Sequence, residues 1–395
     1  MPKRHSYSIV IWGLLLASSA LAQPMDSIYT TGINTNKVLM QEVEGLNDEA
    51  QDKAMLGFSF YHIPWVASPA STTARDGLGP LYNANTCIAC HPNNGVGSVY
   101  EDRGNISPAY ILKLSIESNG SMAHESELKY NGFIAPSAYG GQISTQGISA
   151  VLYEAKPRLV YVDKEIAYPD GTKVQLSQPR TETERMIGDL QYGALSEGTI
   201  ISPRLAPALI GLGLLELLSD AQILANEDRD DSNGDGISGK ANRVYSPSYD
   251  DFRVGRYTSK ASVASVLDQT AMAGHEDMGL TREDLPQHRL EAIAFYLQNL
   301  KVPKSIIRQK EGEKLFTSLS CIHCHRPAFT LDNGYVIRPF SDMLLHDMGE
   351  GLSDGRSEFD ASQREWRTAP LWGIGKSSLT LGKRQIIYMM GEPKA

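Results

Sequence analysis

Cysteine is scarce in this chain, and none of it is spare. Four of the 395 residues are cysteine, and all four stand in two copies of one pattern, Cys87-Ile88-Ala89-Cys90-His91 and Cys321-Ile322-His323-Cys324-His325. Basic excess is also missing. The formal net charge is −9 at pH 7, which argues against nucleic acid as a partner because phosphate binding needs a basic face. Long apolar runs are missing too. Ile9 to Ala17 is too short for a comfortable transmembrane helix, and no later segment could span a bilayer.

The short apolar stretch has a different reading. Lys3 and Arg4 precede it, and Ala20-Leu21-Ala22 follows as an A-x-A cleavage site before Gln23. Residues 1–22 therefore read as a secretory signal, and the protein as periplasmic. Removing them takes away Lys3 and Arg4 and no acid, so the formal charge moves from −9 to −11. An acidic surface could steer a small basic electron donor. What remains is long enough for two or three domains.

A Cys-x-x-Cys-His run has one dominant chemical meaning, covalent attachment of a c-type haem. The two thiols add across the porphyrin vinyl groups, and the adjacent imidazole becomes the proximal iron ligand. A thioredoxin-like pair does not need the following histidine, and a zinc site would have to join two pairs that stand far apart in the chain. The reading is two haem c groups, bound by Cys87, Cys90 and His91 and by Cys321, Cys324 and His325.

Around these motifs the chain is uneven. Asn47 is a candidate N-cap for a short helix to about Leu56, and the Gly/Pro-rich stretch from Gly57 to Pro80 should be loop. Residues 105–175 read as short strands or irregular wrapping. His124, the next histidine after His91, is a candidate distal ligand or an ordinary polar-surface histidine. Pro203 to Glu216 is the most apolar run and should be core, with Glu216 on an exposed helix face or buried with a raised pKa. Asp231, Asn233 and Asp235, with Gly236 and the carbonyl of Ile237, match the start of an EF-hand loop within residues 228–242 and suggest a structural Ca²⁺. Asn242 replaces the usual closing Glu. Gln269 and Asp277 could sit over one haem face, the carboxylate moving a proton and the amide orienting a ligand. Thr281-x-x-Asp284 opens a helix with Leu290, Ile293, Ala294, Leu297 and Leu300 at helical spacing, closed by Pro303. A second helix leads through Gly312–Phe316 to the second motif.

The expected fold is mostly α-helical, with two tandem cytochrome c-like domains and irregular or short-strand inserts. The N-terminal haem domain would be residues 23–302 and the C-terminal one 303–395.

Several further stretches carry a resemblance. They are Asp76-Gly77-Leu78-Gly79-Pro80-Leu81-Tyr82-Asn83, Pro203–Glu216, Asp235–Gly239, Asp277-Met278-Gly279, Ser341–Gly349 and Trp366–Gly373. With the two haem motifs, they make the chain resemble the di-haem oxidoreductases related to bacterial di-haem cytochrome c peroxidases, most nearly the subgroup often labelled thiol oxidoreductase or di-haem peroxidase. The resemblance covers about residues 45 to 375. It implies that Gln269 and Asp277 line the peroxide-binding face of the His91 haem, and that the His325 haem takes in electrons with Met348 or Met343 as its sixth ligand. Here the acid is Asp where the peroxidases have Glu, and their Trp-Asp-Gly-Arg is not matched around Phe252–Arg256. The thiol oxidoreductase label gains nothing from the cysteines, which haem attachment would use up.

The peroxidases also carry a late His-Asp-Gly-Arg-Ala-like stretch that this chain lacks. Read from the third base of the Ile387 codon, however, the ending Ile387–Ala395 can encode Leu-His-Asp-Gly-Arg-Ala-Lys. The expectation is a frameshift after about Gly375, leaving the second haem domain incomplete and the product poorly folded or inactive.

The leading expectation is a periplasmic di-haem oxidoreductase that passes electrons from the C-terminal haem to the N-terminal haem to reduce peroxide or another small oxidant. A non-enzymatic di-haem electron carrier and an enzyme that oxidises side chains of a partner protein are the alternatives.

Overall fold

Asn47 caps the first helix, its side-chain oxygen accepting the Ala50 amide at 2.9 Å. A computed structural model describes residues 28–377 apart from 102–104, 160, 169, 180–186 and 305–309, together with 23–24, 379 and 392–393. Residues 1–22, read above as a secretory signal, and, apart from residues 392–393, the ending from Ile387 expected to be out of frame lie outside the described residues. The helices among the described residues are α1 Asp48–His62, α2 Cys87–Cys90, α3 Met122–Asn131, α4 Leu212–Glu216, α5 Asp220–Leu224, α6 Val266–Met278, α7 Gln287–Gln298 and α8 Lys310–Ser318.

Helix α1 does not stop at Leu56, and the loop expected from Gly57 begins only after His62. Gly57 is there for close packing. A Cβ at this position would lie 1.9 Å from the Ala292 carbonyl oxygen of α7, so α1 and α7 approach at a distance only glycine permits. Gly57→Ala should therefore force the helices apart and cost about 1–3 kcal/mol, as other overpacked cores do. Urea unfolding would measure it, and an unchanged midpoint would show that the two helices do not meet there in solution.

The expectation of a mostly α-helical protein is overturned. The chain is 27% helical and 20% strand, with many small sheets. Tyr110–Ser115 pairs antiparallel with Ile200–Leu205, Arg243–Ser246 with Asp251–Val254, and Leu345–Asp347 with Glu365–Arg367. The reason is local. Tyr110, Leu112 and Leu114 alternate onto one buried face and pack with Tyr139, Ile143 and Ile201, a period of two that no helix can bury. The haem motifs themselves supply only short turns of helix, α2 and a 3-10 turn over Cys321–His323.

A single apolar cluster joins Phe60 and Tyr61 of α1, Ile293 and Leu297 of α7, the Leu209–Leu218 run, and Phe329, Ile337, Met343 and Leu344. Residues on both sides of position 303 thus share one core. Glu216 is a tie between elements, neither on an open surface nor sealed in. It accepts the Val266 amide at the start of α6 at 2.9 Å and the Gln298 side-chain amide of α7 at 2.5 Å. Thr281 and Asp284 form the expected reciprocal hydrogen bonds, but the helix starts later, at Gln287 after Pro286. Among the described residues no helix is long and apolar enough to cross a membrane.

Away from the haem motifs lies a buried ionic network. Arg204 bonds Asp354 at 2.7 Å and Glu358 at 3.2 Å, and Arg356 bonds Glu358 at 3.0 Å. Lys260 reaches Asp354 at 3.3 Å. The Lys260 and Arg204 cations also lie 4.3 and 4.7 Å from the ring of Trp366. Burial pushes the Glu358 carboxyl up, but the Arg356 and Arg204 guanidiniums outweigh it and bring the group down to about 2.

Candidate functional site

The segment before the first motif docks on the end of α6. The amides of Gly79, Asn83 and Ala84 donate to the carbonyls of Met278 and Asp277, at 2.9 Å for Gly79 and at 2.8 and 3.3 Å for the other two. Gly79 and Gly279 meet backbone to backbone; a Cβ on Gly79 would lie 2.6 Å from the Gly279 Cα. Gly279 also ends α6 in the left-handed conformation, with φ of 65°. Asn83 is buried, donates to the Ile143 carbonyl at 3.0 Å and accepts from Thr145. These contacts explain why Asp76–Asn83 reads as a motif: it carries α2 and its cysteines to a fixed place beside Asp277.

Both motif histidines are held in the same way. The His91 Nδ1–H donates to the Pro207 carbonyl at 2.7 Å, and the His325 Nδ1–H donates to the Phe340 carbonyl at 2.7 Å. A carbonyl only accepts, so each ring carries its proton on Nδ1 and leaves the Nε2 lone pair for a metal. Burial lowers His91 to about 4, which keeps its ring neutral. The amides of Ser341 and Asp342 brace the second motif by donating to the carbonyls of Arg326 and Cys324, both at 3.0 Å. None of the four cysteines is in a disulfide. Burial first, and the Asp277 carboxylate second, push Cys87 up to about 12 and raise Cys90 as well. Two free thiols beside a tautomer-locked imidazole, twice over, are the donor set an iron porphyrin requires. Leu315 and Leu319, 59% and 70% exposed just before Cys321, add an apolar surface of the kind a porphyrin covers.

Asp277 and Gln269 both lie on α6, about 12 Å apart along its axis. The Asp277 carboxylate raises the Cys87 and Cys90 thiols electrostatically, and burial raises its own pKa. Gln269 has a buried side-chain oxygen with no hydrogen-bond partner. Two neighbours were not anticipated. Gln142 donates to Asp277 Oδ1 at 2.6 Å, and Lys113 pairs with Glu276 at 2.5 Å. Both come from the stretch left unplaced by the sequence, where no local signal marks them. A cavity of about 600 Å³ opens beside this motif, lined in part by Ala89, Pro108, Thr145, Gln146 and Lys156. His124 lies on α3 and accepts the Asn119 amide at 3.1 Å.

At the second motif, Met343 is fully buried, whereas Met348 is 45% exposed, and the Ser341 hydroxyl donates to the Thr368 carbonyl at 2.6 Å. His346 was also missed as a site residue, although it sits in the Ser341–Gly349 motif. Its Nε2 bonds Asp342 Oδ2 at 2.8 Å and its Nδ1 bonds the Ser238 carbonyl at 2.8 Å. Burial lowers this imidazole, but Asp342 and Cys324 together raise it to about 10. With both nitrogens donating, it has no lone pair for iron.

The 228–242 loop is tied to the same motif. Asp231 accepts the Gly236 amide at 3.0 Å, Asn233 the Asp235 amide at 2.8 Å, and Asp235 the Ile237 amide at 2.9 Å. The other Asp235 oxygen bonds His323 at 2.6 Å. Among the described residues no group of three or more His, Cys, Asp or Glu side chains is gathered in a metal-ligating cluster.

Two thiol–imidazole sites with matched tautomers define a di-haem redox protein. The chain belongs to the family described as "Di-haem oxidoreductase, putative peroxidase", whose model matches residues 32–296 and 287–387. Neither the curated proteins nor the solved structures provide a match.

Proposed function

We propose that this chain is an exported c-type oxidoreductase that takes in electrons at a haem held by Cys321, Cys324 and His325. It passes them to a haem held by Cys87, Cys90 and His91, where peroxide or another small oxidant is reduced. The observation that carries the reading is the paired Nδ1–H···O=C bonds, which ready both imidazoles for iron in the same way. The first motif has, in addition, the buried Asp277 carboxylate nearby and a cavity alongside. Those two features favour chemistry at the first motif, and electron entry is then assigned to the second.

The bound haems supply the redox step. The chain's own residues manage the oxidant. Asp277 takes a proton from one peroxide oxygen and returns it to the other, Gln269 orients the bound molecule, and the cavity admits it. Residues 23–302 and 303–395 serve as the two haem-bearing halves. Met348, or else the buried Met343, would supply a methionine sulfur to the second haem. The electron donor would be a small basic redox protein, matched to the acidic chain.

Pyridine-haemochrome quantification should give two haems per chain, and peroxide should convert a high-spin fraction in the reduced spectrum. Asp277→Asn should slow peroxide reduction by about a hundredfold at unchanged haem content, as loss of a general acid–base group does. Two low-spin haems inert to peroxide would leave an electron carrier instead.

A further inference from the structure

We propose that Gln142 is the positioning residue of the first site, fixing the orientation of the Asp277 carboxylate beside the first haem motif. This rests on the reading of Asp277 as the proton-handling group. Gln142 Nε2 donates to Asp277 Oδ1 at 2.6 Å and to the Glu276 carbonyl at 3.2 Å. Both neighbours accept, so the nitrogen is correctly placed there and not the oxygen. Asp277 has no other hydrogen bond to its side chain among the described residues.

The need for such a bond follows from the side chain. The last torsion of an aspartate is broad and roughly two-fold, so the backbone of α6 does not by itself aim the carboxyl. A donor fixed on a second element does. Gln142 is 6% exposed. Its neighbours are locked to the Tyr110–Ser115 strand, with the Leu114 amide donating to Gly141 at 2.8 Å and the Ile143 amide to Leu112 at 3.0 Å. Lys113 of that strand holds Glu276 at 2.5 Å, which keeps the adjacent carboxylate away from Asp277's role.

The contact is also not explained as ordinary satisfaction of a buried amide. Gln142 Oε1 is buried with no partner, and a buried unpaired acceptor is normally selected against. The side chain keeps its donor end on Asp277 at the expense of its acceptor end. Burial raises the Asp277 pKa, while Lys113 and the Gln142 bond oppose that rise, consistent with a carboxyl kept able to exchange a proton.

The test uses the haem-loaded protein. Gln142→Leu keeps an apolar side chain of similar bulk and removes the donor; Gln142→Asn keeps the amide and shortens its reach. Each should lower kcat for peroxide by about tenfold with KM within about twofold, the size expected for losing one hydrogen bond to a charged group. Adding Gln142→Leu to Asp277→Asn should cost nothing more, because the amide acts only through the carboxylate. An infrared carboxylate band assigned by Asp277→Asn should shift in Gln142→Leu, a readout independent of turnover. Full kcat in both Gln142 variants beside a slow Asp277→Asn would overturn the proposal, as would an additive double variant. If Asp277→Asn is itself fully active, the site assignment fails. The infrared band then decides the contact alone, and no shift overturns it.

Discussion

Replacing Cys87 and Cys90 together by alanine is expected to cut covalent haem from two groups per chain to one and to abolish peroxide turnover. The haem at His325 should keep its spectrum. The expectation follows from the separateness of the two sites. Each has its own thiol pair and its own imidazole, held by a different carbonyl, Pro207 for one and Phe340 for the other. The reciprocal change, Cys321 and Cys324 to alanine, should leave the first haem in place but starve it of electrons. Two covalent haems surviving either change would show that attachment is elsewhere. Stoichiometric zinc in place of haem would return the cysteines to a structural role. The measurement is pyridine-haemochrome content against protein mass, with steady-state peroxide reduction beside it.

The second large effect is on stability. Arg356 is 2% exposed and its partner Glu358 is 8% exposed. Removing Arg356 leaves the buried Glu358 carboxylate with Arg204 as its remaining guanidinium partner, and breaking such a buried pair typically costs about 3–5 kcal/mol. Arg356→Ala should be destabilised by that amount, seen as a lower urea midpoint. An apolar replacement of both, Arg356→Met with Glu358→Leu, should recover much of the loss.

The same pair sets a pH dependence. The folded Glu358 carboxyl sits at about 2, below its ordinary value of 4.5, because the arginines outweigh burial. A depressed acid stabilises the fold above its unfolded pKa, and that contribution is lost as pH falls through the folded value. Stability should therefore decline between about pH 4.5 and pH 2, and Glu358→Gln should flatten that part of the curve. An identical acid limb in the variant would assign the decline to other groups.

Read against these sites, the sequence was most informative where chemistry is local. A haem motif needs two thiols and an imidazole within five residues, so it is visible in one line. So are Asn47 as a cap and the apolar run before Glu216. The fold class was not legible because the strands over 105–205 are short and interrupted, and Tyr110–Ser115 finds its partner only at Ile200–Leu205. Gly57 looked like a break because a close helix crossing and a loop ask for the same residue.

By itself the sequence displayed two Cys-x-x-Cys-His motifs, the expectation of two haems that they carry, and an acidic chain. Only the tertiary structure decided which carbonyl locks each imidazole, that Gln142 donates to Asp277, that His346 is bonded through both ring nitrogens, and that one core crosses residue 303. The physical reason is range. Covalent attachment is set by neighbours along the chain, whereas orientation, protonation and burial are set by groups a hundred or more residues away that only folding brings into hydrogen-bonding distance.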